Sequence, residues 1–314
     1  MKPFKTYYIL CVFCLFLASC TSNSPVPTVV SPEPTNIPAQ ILFDDFSYLS
    51  ADEMTTNGWV VRDGGGLPGV TGATFRTENV TFMDYPDLAG NRLLRMTSST
   101  DGTGENTYQT QICHQRKYLD GTYGARVRFD DSPVTGSDGD QIVQTFYMIT
   151  PYDKPFNPGY SEMDFEYLPN GGWGGPPTTM HVTTWETVQI EPWDADNVSN
   201  SNEESLAGWH TLIAQVTDGT VRYFVDGKLM AQHGGKYYPD AFMSINFNLW
   251  FIDGGLNETD DIREYQEDID WVYHEADVSL MPDEVNAKVA ELRNASVKFQ
   301  DTVHPGIPES PCDL

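Results

Sequence analysis

The sequence predicts an all-β fold, a two-sheet antiparallel β-sandwich that carries one amphipathic helix at its C-terminal end. Between residues 41 and 276, apolar and polar side chains alternate over short segments, and Asp-Gly turn signals separate those segments. The clearest hairpin runs from Val221 to Met230 and has Asp226-Gly227 at its centre. Roughly 235 residues of this pattern, without an internal repeat, fit a single large sandwich.

The N-terminal segment predicts export. Behind a basic start, residues 7–18 form an apolar run that is too short to span a bilayer comfortably and fits a signal peptide. Residues 17–20, Leu-Ala-Ser-Cys, look like a bacterial lipobox, which implies cleavage before Cys20 and lipidation of that cysteine. Residues 1–19 are then a lipoprotein signal peptide, and an ordinary secretory signal is the alternative. We expect an extracytoplasmic protein, lipid-anchored to the bacterial cell membrane or the outer membrane surface.

The segments on either side of the sandwich differ from it in composition. Residues 20–40 contain five prolines and no aromatic residue, which predicts a semi-extended tether. At the other end, residues 277–314 are predicted to form a helix and a tail. Pro282 followed by two acidic residues is typical of a helix start, and spaced apolar residues predict one amphipathic helix over residues 282–300, packed on the domain.

The charge of the chain restricts its partners. The formal net charge is −27, and removal of Lys2 and Lys5 with the signal peptide would make it −29. Such a chain is repelled by nucleic acid and by anionic membranes, so we expect no nucleic-acid partner and membrane contact only through the lipid anchor. It also disfavours anionic polysaccharides, though local charge matters more than the sum. We expect a monomer.

The most informative stretch is residues 162–167, Glu-Met-Asp-Phe-Glu-Tyr. On a strand, successive side chains point to opposite faces, so Glu162, Asp164 and Glu166 share one face. Two glutamates four residues apart on a strand have Cα atoms about 13 Å apart, and side chains reaching about 4 Å each bring their carboxyls to about 5–5.5 Å. That separation suits glycoside cleavage with retention. A solvated acidic strand face is the alternative.

The same stretch resembles the active-site pattern Glu-x-Asp-x-Glu of glycoside hydrolase family 16, and other segments resemble that family in the family's order. These segments are Tyr123–Phe129, Trp209–Thr211, Val221–Gly227, Asn248–Trp250 and Asp270–Tyr273. The resemblance covers residues 41–276 and implies a concanavalin A-like jelly roll. It implies an endo-acting retaining hydrolase of a β-linked polysaccharide, most simply a mixed-linkage 1,3-1,4 or a 1,3 β-glucan. Mixed linkage is favoured because the motif lacks the extra residue that many β-1,3-glucanases of the family insert between the aspartate and the second glutamate. The uninterrupted spacing resembles that of mixed-linkage and xyloglucan-active members.

The resemblance also implies roles. Glu162 would be the nucleophile, Glu166 the general acid and base, and Asp164 the residue that tunes the nucleophile. No cofactor is required for this chemistry. Family members often hold a structural calcium ion on the convex face, and Asp270 is the candidate ligand here. A transglycosylase using the same residues and a non-catalytic glycan-binding surface protein are the rival functions.

Side-chain alternation gives a set of candidate substrate-binding residues on strand faces that would join the cleft. These residues are Arg126, Arg128, Tyr147, His181, Trp185, Asn248 and Trp250. The resemblance adds Tyr160, which lies just before the motif, where the family often has tryptophan. The two arginines would either hydrogen-bond sugar hydroxyls or only neutralise the acidic cluster. Trp173 and Trp193 lie in loops and receive no assignment. Cys113 and Cys312 either form one disulfide or remain as two free thiols.

Overall fold

The computed structural model describes residues 38–304 and residue 312. The predicted signal peptide, Cys20 and the tether up to residue 37 lie outside the described residues. Two α-helices, α1 and α2, span Ala51–Thr55 and Pro282–Asn294, and short 3-10 turns occupy Thr77–Asn79, Gly104–Asn106 and Gly235–Tyr237.

Seventeen strands lie within the described residues: β1 (Ile41–Asp44), β2 (Val60–Val61), β3 (Thr74–Phe75), β4 (Val80–Asp84), β5 (Arg92–Thr100), β6 (Tyr108–Cys113), β7 (Gly121–Phe129), β8 (Ile142–Ile149), β9 (Glu162–Leu168), β10 (Thr179–Gln189), β11 (Asp194–Glu203), β12 (Gly208–Thr217), β13 (Thr220–Val225), β14 (Lys228–Gly234), β15 (Ser244–Phe251), β16 (Arg263–Ala276) and β17 (Phe299–Asp301).

The strands form the predicted antiparallel sandwich. One sheet has the order β11-β10-β9-β8-β15-β6-β2. The other has the order β14-β13-β12-β7-β16, and β16 continues on its far side to β5 and β4 and also to β1 and β17. Strand β6 touches both sheets, because Tyr108 pairs with Ser99 of β5. One pair, β3 with β6, is parallel.

The alternation predicted for β9 is observed. Met163, Phe165 and Tyr167 are fully buried in the core between the sheets. Burying one large apolar side chain contributes about 1.5–3 kcal/mol, so these three anchor the strand firmly. A shift of one residue in register would exchange the two faces and place the carboxylates in the core. The core side of β9 therefore holds Glu162, Asp164 and Glu166 on the outer face of the sheet.

Helix α2 begins where predicted but ends earlier than residue 300. Its start is fixed by the Glu284 carboxylate, which accepts a hydrogen bond from the Met281 backbone N–H. At its end Ser296 adopts the left-handed conformation with φ of 59°, and the Val297 N–H donates to the Leu292 carbonyl at 2.9 Å. The Ser296 N–H also donates to the Arg293 carbonyl at 2.9 Å, and these two bonds form a Schellman motif, which stops a helix.

The residues after α2 form a strand, so the predicted helix over residues 282–300 is too long. Strand β17 pairs with β1, and Phe299 packs against the main core. Phe299 matched the helical spacing of the apolar residues of α2 only by chance. The helix itself packs on the outer face of the second sheet through Val285 and Val289, which contact Trp271 in a shared apolar cluster.

A disulfide joins Cys113 on β6 to Cys312, which have Cα atoms 5.5 Å apart and are 199 residues apart in sequence. The pairing is thus confirmed over the alternative of two free thiols, and it ties the end of the chain to the sheet that carries the acids. None of the helices in the described ranges is long and apolar enough to cross a membrane.

Candidate active site

The three acidic side chains of β9 lie at the middle of their sheet, because β9 runs between β8 and β10. Each acid has one neighbour on either side in the register: Ile149 and Trp185 for Glu162, Tyr147 and Thr183 for Asp164, Thr145 and His181 for Glu166. Cross-strand neighbours point to the same face, so the acids share their surroundings with an imidazole, a phenol and an indole.

Asp164 is the most enclosed of the three acids, with only 3% of its surface exposed. Its carboxyl accepts a hydrogen bond from Trp185 Nε1 at 2.6 Å and is hydrogen-bonded to the carboxyl of Glu162. Burial raises the pKa of Asp164 well above its usual range, and the charges of Glu162 and Glu166 act in the same direction. Asp164 therefore keeps its proton and donates it in the hydrogen bond to Glu162.

Glu162 is partly accessible and is poised to ionise first. The Tyr160 hydroxyl donates a hydrogen bond to its Oε2. Burial raises the pKa of Glu162 to about 7, while the hydrogen bonds from Tyr160 and Asp164 limit that rise. Two donors aimed at one carboxylate stabilise its charged form, which is the form that a nucleophile needs.

Glu166 is arranged to keep its proton longer than Glu162. Burial is the main cause that raises the pKa of Glu166 to about 8, and the negative charge of Glu162 adds to it. The two glutamates therefore differ in the direction that general acid catalysis requires, with one ionised while the other is protonated. Because the three groups interact, they titrate as a set.

Replacing Glu166 with glutamine is expected to stabilise the folded protein at pH 8. The folded-state pKa of Glu166 lies above its ordinary value of 4.5. The stability that this group contributes is therefore complete below about pH 4.5 and is lost as the pH rises through about 8. Glutamine does not titrate, so the variant should gain about 1–3 kcal/mol over the parent at pH 8 and almost nothing at pH 4.5. Thermal unfolding at the two pH values measures this, and an equal shift at both would contradict it.

Tyr147 joins the acids to a polar network that sequence reasoning missed. Its hydroxyl accepts a hydrogen bond from Gln111 Nε2 at 2.7 Å, and Gln111 Oε1 accepts one from Arg62 Nη1 at 2.7 Å. Asn248, on β15, is the register neighbour of Thr145 and points to the same face of the sheet as the acids. Its Oδ1 is buried and has no hydrogen-bond partner within the described part of the chain. A buried acceptor without a donor suits a ligand hydroxyl.

Aromatic side chains stand at both ends of the acid row. Near Glu162, the rings of Trp185 and Trp193 lie 6.0 Å apart in an edge-to-face arrangement. Near Glu166, the ring of Trp173 lies 6.2 Å from that of Trp250 and 6.3 Å from that of His181. The structure thus brings together Tyr160, Tyr147, His181, Trp185, Asn248 and Trp250 around the acids.

No family model matches this sequence, and no curated protein matches it significantly. Solved structures do match it. A Bacillus licheniformis β-glucanase superimposes with a TM-score of 0.54 at 17% identity, over 75% of this chain and 97% of that one. A Bacteroides ovatus family 16 protein of a mixed linkage glucan locus, in complex with an oligosaccharide product, gives 0.56 at 16%, over 73% and 98%. A laminarinase from Flavobacterium sp. UMI-01 gives 0.53 at 16%, over 74% and 98%.

This chain has the fold of the family 16 glycoside hydrolases. The predicted jelly roll is thereby confirmed, and it spans nearly the whole length of each of these neighbours. At identities this low the likeness concerns the fold, so the chemistry of the site is argued from its own residues.

The family 16 fold places Arg126 and Arg128 away from the acids, and their predicted place in the cleft is wrong. Both lie on β7, which belongs to the sheet opposite β9, and both point away from the core on that sheet. Arg128 Nη1 lies 2.6 Å from Asp130 Oδ2, and Arg126 Nε lies 3.7 Å from Asp270 Oδ2. Alternation indicated correctly that the two arginines share a face, but it could not indicate which sheet they occupy.

Asp270 does not fit the role of a calcium ligand. Its buried carboxylate accepts hydrogen bonds from Arg293 Nη2 at 2.5 Å, from Arg293 Nη1 at 3.2 Å and from Asn91 Nδ2 at 3.1 Å. Two guanidinium groups, those of Arg293 and Arg126, already supply the positive charge that a divalent cation would bring. Residues 38–304 also contain no cluster of three His, Cys, Asp or Glu side chains able to hold a metal ion. The contacts of Asp270 therefore do not support the calcium site predicted there.

The Arg293–Asp270 pair should stabilise the fold in the way a bound ion would. Replacing Arg293 with methionine leaves a buried carboxylate without its main partner and is expected to cost about 3–5 kcal/mol. Thermal unfolding measures this, with Arg222→Met as control, since that side chain donates a hydrogen bond to Gln232 at the surface and contacts no carboxylate of the described residues. We expect a chelator to leave the melting temperature of the parent unchanged. A chelator-induced loss, or an Arg293 variant as stable as the control, would contradict this account.

Proposed function

We propose that the protein is a retaining, endo-acting glycoside hydrolase of a neutral β-glucan. The observation that carries this proposal is the pair Glu162 and Glu166, which flank Asp164 on one accessible strand face and have pKa values near 7 and 8. The fold neighbours support it by their descriptions, which include a β-glucanase, a lichenase and a laminarinase.

The proposed reaction is a double displacement. The Glu166 carboxylic acid donates its proton to the glycosidic oxygen while a Glu162 carboxylate oxygen attacks the anomeric carbon. The C–O bond to the leaving sugar breaks, and a glycosyl ester on Glu162 forms. The Glu166 carboxylate then takes a proton from water, whose oxygen attacks the anomeric carbon and releases Glu162. Asp164 hydrogen-bonds to Glu162 and stabilises its charge whenever the ester is absent.

A neutral substrate follows from the charges around the acids. The two arginines that the sequence assigned to the cleft lie on the other sheet, paired with aspartates. Arg62, whose charge acts to lower the pKa of Tyr147, is buried and hydrogen-bonded to Gln111. Burial lowers the pKa of His181, which favours its neutral form. Three acids with no accessible lysine or arginine among the described residues of their strand face repel sulfated or uronic acid polymers. Among neutral glucans, the uninterrupted Glu162-to-Glu166 spacing favours mixed 1,3-1,4 linkage over 1,3 linkage.

We also propose that the mature chain is a monomer held outside the cytoplasm by a lipid on Cys20. Support comes from the Leu-Ala-Ser-Cys sequence and the proline-rich segment that follows it. Expression in a bacterium with labelled palmitate tests this, because Cys20→Ser should lose the label and leave the membrane fraction. A labelled Cys20→Ser protein would refute the anchor.

The decisive experiment incubates the soluble domain with lichenan, laminarin, xyloglucan, agarose and carrageenan and follows the products by NMR. We expect fastest cleavage of lichenan, β-configured new reducing ends, and a rapid fall in polymer length. Inverted products would overturn the double displacement. Longer oligosaccharides in place of shorter ones would favour the transglycosylase, and binding without any cleavage would favour the non-catalytic glycan-binding protein.

A further inference from the structure

Two exposed tryptophans that belong to none of the recognised motifs stand next to the acid row. Trp173 is 56% exposed and Trp193 is 66% exposed, although both are large apolar side chains. Neither contributes to a buried cluster of the described core. An exposed indole costs free energy of hydration without stabilising the fold, so a ligand-binding role has to be considered.

The backbone at Trp173 is built against local preference. Trp173 lies in a tight turn in which the Gly175 N–H donates to the Gly172 carbonyl at 2.8 Å, and the two central residues, Trp173 and Gly174, have φ of 51° and 83°. Two positive φ angles are typical of a type I′ turn, whose first central position favours asparagine, aspartate or glycine. A bulky side chain at that position is strained, and such strain concentrates at functional sites.

Each tryptophan is one side chain away from a catalytic glutamate. Trp193, in the turn between β10 and β11, packs edge-to-face on Trp185, and Trp185 is the register neighbour of Glu162. Trp173 packs edge-to-face on His181, which is the register neighbour of Glu166. His181 and Trp185 lie four residues apart on β10, about 13 Å, so the two tryptophans occupy opposite ends of the acid row.

We propose that Trp173 and Trp193 are two separate sugar-binding platforms that set the affinity for long glucan chains. The proposal rests on the proposed function and names further binding residues for it. In β-linked glucose the hydroxyls are equatorial, so both ring faces present C–H groups that bury well against a flat π surface. The tight turn holds the backbone of Trp173, and the ring of Trp193 packs on that of Trp185. A chain too short to reach the two indoles gains nothing from them.

The test compares substrates of different length in variants that keep the fold. Trp173→Asn removes the ring and installs the residue that the turn prefers, so its melting temperature should equal or exceed that of the parent. We expect this variant and Trp193→Ala each to raise KM for lichenan about tenfold. The kcat for a short aryl β-glycoside should change by less than about twofold. The two platforms are more than about 10 Å apart, so the KM effects should multiply in the double variant.

Matched variants separate binding from a general loss of structure. Leu229 is 51% exposed on β14, at the far edge of the other sheet, and Leu229→Ala should leave both substrates unaffected. Trp173→Phe and Trp193→Phe should recover most of the lost affinity, because a flat ring remains. In a Glu162→Gln background, titration with a long oligosaccharide should shift tryptophan emission to the blue, and each ring-deleting variant should reduce that shift.

The outcomes distinguish this inference from the proposed function. Unchanged KM for lichenan in both tryptophan variants, with an active parent, would overturn the platforms and leave the hydrolase intact. An equal loss on the short glycoside would show that the indoles maintain the catalytic geometry, which also overturns the inference. A parent that cleaves no glucan at all would instead remove the proposed function.

Discussion

Replacing Glu162 with alanine is expected to lower kcat on lichenan by at least about 10⁴-fold while leaving oligosaccharide binding largely intact. The carboxylate of Glu162 is the group to which Tyr160 and Asp164 both direct hydrogen bonds, and its pKa near 7 makes it the first of the three acids to ionise. Without it no glycosyl ester can form. Steady-state kinetics and calorimetric titration of a cellooligosaccharide measure the two quantities.

Rescue by azide separates a nucleophile from a structural residue. In Glu162→Ala, azide can enter the space left by the carboxylate and attack the anomeric carbon of an aryl β-glycoside directly. One displacement inverts the centre, so the product should be an α-glycosyl azide. Glu203 is an exposed acid on β11, and Glu203→Ala serves as the control that should lose nothing. Retained lichenan turnover in Glu162→Ala, or rescue that yields a β-glycosyl azide, would refute the nucleophile assignment.

The part of the site that lies on one strand could be predicted from the sequence. A period of two is a local property, so it places Glu162, Asp164 and Glu166 on one face and Phe165 in the core without reference to any other strand. The predicted companions on β10, His181 and Trp185, follow from the same alternation. Their approach to the acids depends on register, which is set by long-range pairing, and the register places His181 beside Glu166 and Trp185 beside Glu162.

The misplaced and missed residues are those whose position depends on pairing between distant strands. Arg126 alternates as cleanly as His181 does, yet β7 pairs with β12 and β16 instead of with the sheet of the acids. Arg62 reaches Gln111 across 49 residues of sequence because β2 pairs with β6. A hydrogen bond of that kind leaves no periodic signal. For Gln111 a signal was available, because the alternation of Gln109, Gln111 and Cys113 predicts that these side chains share one face of a strand.

The end of α2 could not be predicted from the sequence for a different reason. A glycine in the left-handed conformation commonly marks the end of a helix, but here Ser296 takes that conformation. The consequence is more than a boundary error, because the shorter helix places Arg293 in its last turn, where it contacts Asp270. The calcium prediction and the predicted helix end are therefore linked. Arg293, at the C-terminus of α2, supplies the positive charge beside Asp270 that the calcium prediction had given to a metal ion.

The chemistry attributed to Glu166 predicts an effect that depends on the leaving group. Glu166→Ala should lower kcat/KM on lichenan by about 10²–10⁴-fold, because the departing sugar oxygen needs a proton. An aryl glycoside with an acidic phenol needs none, so its first step should stay fast and the glycosyl ester on Glu162 should accumulate as a burst. Azide should then release a β-glycosyl azide, since it attacks from the face that water uses. An equal loss on both substrates would refute the acid and base role.

The pH profile gives an independent test of the same residue. The reaction needs Glu162 ionised and Glu166 protonated, and their pKa values are near 7 and 8. The kcat/KM of the parent should therefore give a bell-shaped pH profile with its maximum between those values. Activity falls on the acidic limb because Glu162 becomes protonated, and on the basic limb because Glu166 loses its proton. In Glu166→Gln the residual activity should keep the acidic limb and lose the basic one. The acidic limb should stay near pH 7, because Glu166 is protonated and uncharged at the pH where Glu162 ionises. A basic limb that survives the substitution would assign the proton to another group, and Asp164, whose pKa burial also raises well above its usual range, would be the next candidate.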